Sequence, residues 1–159
     1  MVIADGNQVG TKVIPEIAHL DIAQSCRGYY PGIISHYKAP WAMKDIDNIP
    51  ELKYSGQVGE QFLSRETLEK FYQPWIELAN SGTGVHCGEC GCYNKTPHDI
   101  FLTWFRDVME ILSANSIGFA LWEFRGTFGI LDSGRADVDY EDWNGHKLDR
   151  KLLDLLQNA

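Results

Sequence analysis

Residues 84–99 read GVHCGECGCYNKTPHD, an apolar segment followed directly by the signals that start a helix. The first part, GVHCGE, is predicted to be a strand that ends at Glu89. Thr96 then supplies a helix N-cap, Pro97 a proline at the first helical position, and Asp99 an acid in the first turn. A buried strand that leads into a helix is the repeating unit of a parallel sheet covered by helices, so the sequence predicts an α/β fold.

The rest of the chain continues this alternation of strand and helix. Further strands are predicted at residues 1–5, 32–37 and 116–124, and further helices from residue 64 and over residues 147–156. Pro74 is expected to kink the helix that starts near residue 64 or to mark where it restarts, and Gly82 to cap its C-terminus. A loop over residues 39–63 is predicted between the second strand and that helix, and loops of such length are often functional.

Size and charge limit what the chain can do. Its 159 residues, 44% of them hydrophobic, suffice for a sizeable core, and we expect residues 1–159 to form a single domain. The net charge of −8 and the pI near 5.0 argue against nucleic acid as a partner, because no basic stripe could release counterions. No run reaches the ~20 apolar residues that span a bilayer, and the N-terminus does not read as an export signal. We expect a soluble chain with no membrane partner, and its localisation stays open.

The same opening segment contains three cysteines, Cys87, Cys90 and Cys92. They could belong to a zinc site, with Cys26 or His86 as the fourth ligand. This spacing is a weak zinc signal, because closed sites usually come as paired C-x₂-C knuckles. Strand alternation would instead bury Cys87 on the same face as Glu89 and spread the three thiols apart. We therefore expect no metal and no other cofactor.

Glu89 itself allows two interpretations. Most glutamates are solvated surface acids. This one lies between Gly88 and Gly91 where an apolar strand ends, and parallel α/β barrels carry their chemistry at the C-terminal ends of their strands. The residues alone leave both roles open.

Three motifs together resemble the C-terminal half of a family 5 glycoside hydrolase, a cellulase-like (β/α)₈ barrel. They are HCGECG at residues 86–91, SHY at residues 35–37 and ALWEFRGTFGILDSGR at residues 120–135. The resemblance covers nearly the whole chain and implies a parallel (β/α) half-barrel, strands five to eight of a TIM barrel. It also implies that Glu89 is the nucleophile of a retaining β-glycosidase, that His36 is the active-site histidine after strand six, and that Trp122 is the aromatic platform under the sugar.

The general acid/base is the part of the mechanism that the resemblance does not locate in this chain. A retaining glycosidase needs a nucleophilic carboxylate and a second, protonated carboxyl about 5 Å away. In the family that acid is a glutamate after an asparagine at the end of strand four, and no Asn-Glu pair occurs in the sequence. We expect the isolated chain to be impaired. Asp5 and Glu123 are the nearest acids by strand position, and alternation predicts that Glu123 points outward.

Aromatic residues in the predicted loops supply further candidate contacts to a β-linked polysaccharide. Trp41 and Tyr93 are predicted to line a glycan cleft together with Trp122, although each could instead pack in the core, as could His36. Family members also carry a His-x-Tyr pair whose tyrosine contacts the nucleophile, but Tyr37 directly follows His36 and should face the other way.

An alternative function needs no turnover. Trp41, Trp122 and Trp143 could form the platform of a carbohydrate-binding module. In either case the open edges of a half-barrel favour self-association. The sequence leaves the glycan and its linkage undetermined.

Overall fold

The computed structural model of the protein describes residues 2–159. Its centre is a four-stranded parallel sheet, and the strands in spatial order are β1 (Ile3–Asp5), β2 (Ala23–Gly28), β5 (Val85–Cys90) and β6 (Gly118–Leu121). Two antiparallel hairpins stand apart from it, formed by β3 (Gly56–Val58) with β4 (Gln61–Leu63) and by β7 (Glu141–Trp143) with β8 (His146–Leu148). The predicted parallel α/β arrangement is confirmed.

The helices differ greatly in length. Two long ones, α3 (Arg65–Asn80) and α4 (His98–Ala114), contact the sheet and each other, and α5 (Arg150–Gln157) packs on α4. The short segments are α1 (Asn7–Gly10), a 3₁₀ helix over Pro15–Leu20 and α2 (Gly32–Ser35). The largest buried side chains of α3 and α4 are Tyr72, Trp75, Phe101, Trp104 and Phe105. Burying a large apolar side chain contributes about 1.5–3 kcal/mol, so these two helices supply much of the core.

The second strand differs from the prediction. Residues 32–37 are not a strand: they contain α2, and β2 lies earlier, over Ala23–Gly28. The sequence of β2, AQSCRG, has no apolar alternation, yet it is buried because its polar groups are paired. The amide of Gln24 accepts from the backbone N–H of Ile14 at 2.8 Å and donates to the Ile14 carbonyl at 2.7 Å. A fully hydrogen-bonded glutamine can be buried at little cost.

A bulge interrupts the pairing of β2 with β5. Cys26 lies opposite Cys87, but the next residue, Arg27, lies opposite Glu89, so Gly88 is skipped. Beyond this point the side chains of β5 exchange faces, and Cys87 and Cys90 are both fully buried. The prediction that alternation places Cys87 and Glu89 on one face is therefore wrong.

The observed ends of the two long helices agree only in part with the caps predicted from the sequence. Gly82 has φ +95° and follows α3, as predicted for a C-terminal cap. The helix is continuous through Pro74, so no new helix begins there. Helix α4 begins at His98, whose N–H donates to the Asp137 carboxylate at 2.7 Å. Thr96 does not cap α4, because its hydroxyl donates to the Ile34 carbonyl.

Among residues 2–159, no helix has the length and apolar character that crossing a membrane requires.

Candidate active site

Glu89 lies one residue before the end of β5, and both of its carboxylate oxygens have partners. The hydroxyl of Tyr29 donates to Oε2 at 3.1 Å. Nη2 of Arg27 lies 3.4 Å from Oε1. The side chain is 31% exposed, so a carboxylate that is held on two sides still reaches solvent.

Tyr29 follows β2 directly, and its hydroxyl can only act as a donor to Glu89. Burial, and then the negative charge of Glu89, hold the pKa of Tyr29 well above its usual range. Its ring packs edge-on against His36 and Phe128, at centroid distances of 5.1 and 6.2 Å. The sequence analysis missed Tyr29 because it assigned the strand to residues 32–37. With β2 in its observed position, Arg27-Gly28-Tyr29 has the spacing of the family's His-x-Tyr pair, with arginine in the place of histidine.

His36 reaches the same region from a different element than predicted. It follows α2 rather than ending a strand. Its Nδ1 lies 2.9 Å from the hydroxyl of Ser35, and its ring packs against Phe128 at 5.6 Å. Burial lowers the pKa of His36, which favours the neutral ring. The hydroxyl of Tyr29, which neighbours His36, contacts Glu89.

A cleft of about 380 Å³ opens beside Glu89, within the range of ligand pockets. Its lining comprises Tyr29, His36, Trp41, Glu89, Trp122, Glu123, Thr127 and Phe128. Trp41 and Trp122 are 63% and 50% exposed, so both indoles offer free surface. Tyr93 packs edge-on against Trp41, with 4.8 Å between the ring centroids, and is not among the side chains that line the cleft. Trp143 lies on the β7–β8 hairpin and is not part of this cleft.

The two acids nearest to Glu89 by strand position have different surroundings. Asp5 is engaged in a two-point ion pair with Arg27, with Nη1 at 2.8 Å from Oδ1 and Nη2 at 3.0 Å from Oδ2. Glu123 lines the cleft together with Glu89, so the prediction that it points outward is wrong. Strand β6 ends at Leu121, and alternation therefore no longer governs Glu123. Its carboxylate lies against Gly126, where a Cβ atom would collide with it.

Solved structures of other proteins share this fold. A glycoside hydrolase of known structure is 39% identical, with a TM-score of 0.90 over 98% of this chain and 47% of that one. The fold is that of half a glycoside hydrolase barrel. The resemblance predicted from the sequence motifs is thereby confirmed. The half-barrel spans about half the length of the structures that it matches. No protein-family model matches the sequence, and no curated protein does.

More distant structures agree on the fold of this half-barrel. A hyperthermophilic endo-β-1,4-glucanase in complex with substrate is 21% identical, with a TM-score of 0.70 over 98% of this chain and 47% of that one. Cel5A of Thermotoga maritima in complex with mannotriose is 19% identical, with a TM-score of 0.66 over 95% of this chain and 44% of that one.

The last residue of the motif at residues 120–135, Arg135, holds two loops of the half-barrel together. The buried guanidinium of Arg135 donates to the carbonyls of Cys92 and Thr96, at 2.6 and 2.8 Å, and lies over the ring of Phe101. These contacts tie the loop after β6 to the loop after β5. Arg135 in this motif therefore has a structural role and does not reach the cleft.

The cysteines of the half-barrel are all free thiols and all buried. A hydrogen bond to Cys87, and then burial, raise the pKa of Cys26. Cys87 and Cys90 also contact each other, so the bulge brings these two thiols together instead of spreading them. Cys92 is separate and donates to the Ile34 carbonyl. Within residues 2–159, no group of three or more His, Cys, Asp or Glu side chains is arranged to hold a metal.

Proposed function

We propose that the chain carries the nucleophile side of the active site of a retaining β-glycosidase, with Glu89 as the nucleophile. The observation that supports this most is the pair of contacts from Tyr29 and Arg27, which hold the Glu89 carboxylate at the C-terminal end of a parallel strand. The carboxylate opens into a cleft with two exposed tryptophans, and sugar rings stack on flat aromatic faces.

In the first step an oxygen of Glu89 attacks the anomeric carbon, and the bond from that carbon to the leaving oxygen breaks. The product is a glycosyl ester on Glu89, which water later hydrolyses. Tyr29 restricts rotation of the carboxylate, which keeps the attacking oxygen aligned. Trp122 supplies the stacking surface for the sugar that is attacked.

The leaving oxygen must receive a proton from a second carboxyl. Asp5 is a poor source because both of its oxygens already accept from the Arg27 guanidinium. We infer that the acid/base comes from outside these four strands and that the chain alone hydrolyses natural glycans weakly. The names of the similar structures suggest oligosaccharides of β-linked glucose or mannose as the substrate class.

A 2,4-dinitrophenyl 2-deoxy-2-fluoro-β-cellobioside tests the nucleophile without needing the acid. Dinitrophenolate leaves without protonation, and the fluorine slows hydrolysis of the glycosyl ester, so a label accumulates. We expect peptide mass spectrometry to find one sugar on Glu89, no label in Glu89→Gln, and an unchanged label in Glu66→Gln, which alters an exposed acid outside the cleft. A label on any other residue would overturn the assignment.

A carbohydrate-binding role without turnover is the second candidate, and the exposure of Trp41 and Trp122 in one cleft favours it. Titration calorimetry with cellohexaose and mannohexaose, alongside a reducing-end assay on β-glucan, separates the two functions. Binding that is lost in Trp122→Ala but persists in Glu89→Gln, with no label and no reducing ends, would indicate a binding module.

A further inference from the structure

We propose that Asp5 and Arg27 act as one charged pair that positions Glu89, with Arg27 contacting the nucleophile and Asp5 holding Arg27. Both are positioning residues rather than acids or bases of the reaction. This inference rests on the proposed function, in which Glu89 is the nucleophile.

The bulge in β5 is what brings Arg27 to Glu89. Without it, the pairing of Cys26 with Cys87 would continue with Arg27 opposite Gly88. The skipped residue places Arg27 and Glu89 opposite each other on neighbouring strands, within side-chain reach. Bulges are frequent next to active sites, where they redirect a side chain.

The guanidinium is surrounded by polar partners and by two glycines that leave room for it. Its Nη1 donates to the hydroxyl of Ser25 at 2.9 Å as well as pairing with Asp5. A Cβ atom at Gly88 would lie 2.5 Å from that hydroxyl and 3.1 Å from Nη1. Gly10, with φ +70°, lets the stem of Arg27 pass, because a Cβ there would lie 2.8 Å from Cγ. Two glycines thus leave the space that this side chain occupies.

The charge of Arg27 is shared unequally between the two carboxylates. Asp5 takes both ends of the guanidinium fork at 2.8 and 3.0 Å, whereas Glu89 lies at 3.4 Å from one nitrogen. This division suits a nucleophile. Glu89 loses its negative charge when the ester forms, so a cation that bound it alone would oppose the attack. With Asp5 as its main partner, Arg27 orients Glu89 while the Asp5–Arg27 pair stays neutral.

The rate of labelling by the dinitrophenyl 2-fluoro-cellobioside measures this directly. In that step the Glu89 oxygen bonds to the anomeric carbon, and dinitrophenolate leaves with the bonding electron pair. We expect Arg27→Gln to lower the maximal labelling rate about 10- to 100-fold, with the inactivator concentration at half-maximal rate nearly unchanged. Arg27→Lys should recover part of the loss, and Asp5→Asn should slow labelling several-fold. Arg150→Gln, which removes an exposed ion pair with Glu141 outside the cleft, serves as the control.

The double variant Asp5→Asn/Arg27→Gln distinguishes a pair from two separate structural roles. We expect it to be no slower than Arg27→Gln alone, because members of one network are not additive. Losses that multiply, or unchanged labelling in Arg27→Gln, would overturn the proposal.

A crystal structure tests the positioning of Glu89 without requiring that Glu89 react with the label. If the wild-type chain takes no label at all, the proposed nucleophile fails, but the positioning claim is still decided by a crystal structure of Arg27→Gln. We expect the Glu89 carboxylate to move by about 1 Å or more from the Tyr29 hydroxyl. An unmoved carboxylate would show that Arg27 does not position it.

Discussion

Tyr29 is the residue whose contact with Glu89 is shortest, and its surroundings keep it a donor. Its ring packs edge-on against His36 and Phe128, and its hydroxyl lies 3.1 Å from the Glu89 carboxylate. Because burial and that negative charge raise the pKa of Tyr29, the proton stays on the hydroxyl at any ordinary pH. The orientation of Glu89 therefore depends on one uncharged hydrogen bond and one ion pair.

Replacing Tyr29 with phenylalanine should show whether its hydroxyl orients the Glu89 carboxylate, apart from any effect on the stability of the fold. The ring contacts remain, so we expect little change in Tm, whereas the loss of a hydrogen bond to a charged group should slow labelling of Glu89 about 10-fold. Tyr37→Phe, outside the cleft, is the matched control. Equal labelling rates for Tyr29→Phe and wild type would contradict the role assigned to this hydroxyl.

At this scale the sequence predicts the place of some cleft residues and misses others. Glu89 and Trp122 lie beside one cleft, as their motifs next to apolar strands indicate, and their roles stay predictions. Tyr29 and Arg27 could not be found, because β2 is buried through paired polar groups such as Gln24 and offers no such pattern. Glu123 was misplaced because alternation ends with the strand at Leu121.

Among the elements, the loop after β6 carries Trp122 and is fixed at its far end by Asp132. That carboxylate accepts from the Lys147 backbone N–H at 2.9 Å and pairs with His146 at 2.8 Å and Arg125 at 2.7 Å. These partners, the backbone N–H first, lower the pKa of Asp132 from 3.8 to about 2. The loop that carries Trp122 is thereby connected to the β7–β8 hairpin, an element that the sequence analysis did not predict.

The lowered pKa predicts how stability depends on pH. Because folding favours the ionised form of Asp132, its contribution is complete above the ordinary value of 3.8 and is lost as pH falls toward about 2. We expect Asp132→Asn to have a lower Tm than wild type at pH 6, with the difference shrinking between about pH 4 and pH 2. Asp142→Asn, an exposed neighbour on β7, should show no such trend in thermal unfolding followed by circular dichroism. A difference in Tm that is constant down to pH 2 would contradict this account.

For the whole molecule, the main feature is a parallel sheet with two open edges. In the sheet described for residues 2–159, β1 and β6 each have a neighbour on one side only. Val2 and Ile3, beside and within the first edge, are 64% and 43% exposed. Unpaired edges with exposed apolar side chains favour association.

We therefore expect the chain to self-associate at micromolar concentrations, most simply as a symmetric dimer. Light scattering across a dilution series should give a molar mass that falls as the protein is diluted. Ile3→Lys places a charge on the edge strand and should shift the chain toward monomer. A monomer at every concentration that also hydrolyses β-glucan efficiently would contradict both the expected association through the open edges and the proposal that the acid/base comes from outside these strands.

The central claim, that Glu89 is the nucleophile, is tested most directly by a crystal structure of the chain after reaction with the dinitrophenyl 2-fluoro-cellobioside. The account predicts continuous density from an oxygen of Glu89 to the anomeric carbon, with Tyr29 still bonded to the carboxyl group and the sugar ring against Trp122. A sugar joined to Asp5 or Glu123, or one bound in the cleft with Glu89 unmodified, would contradict it.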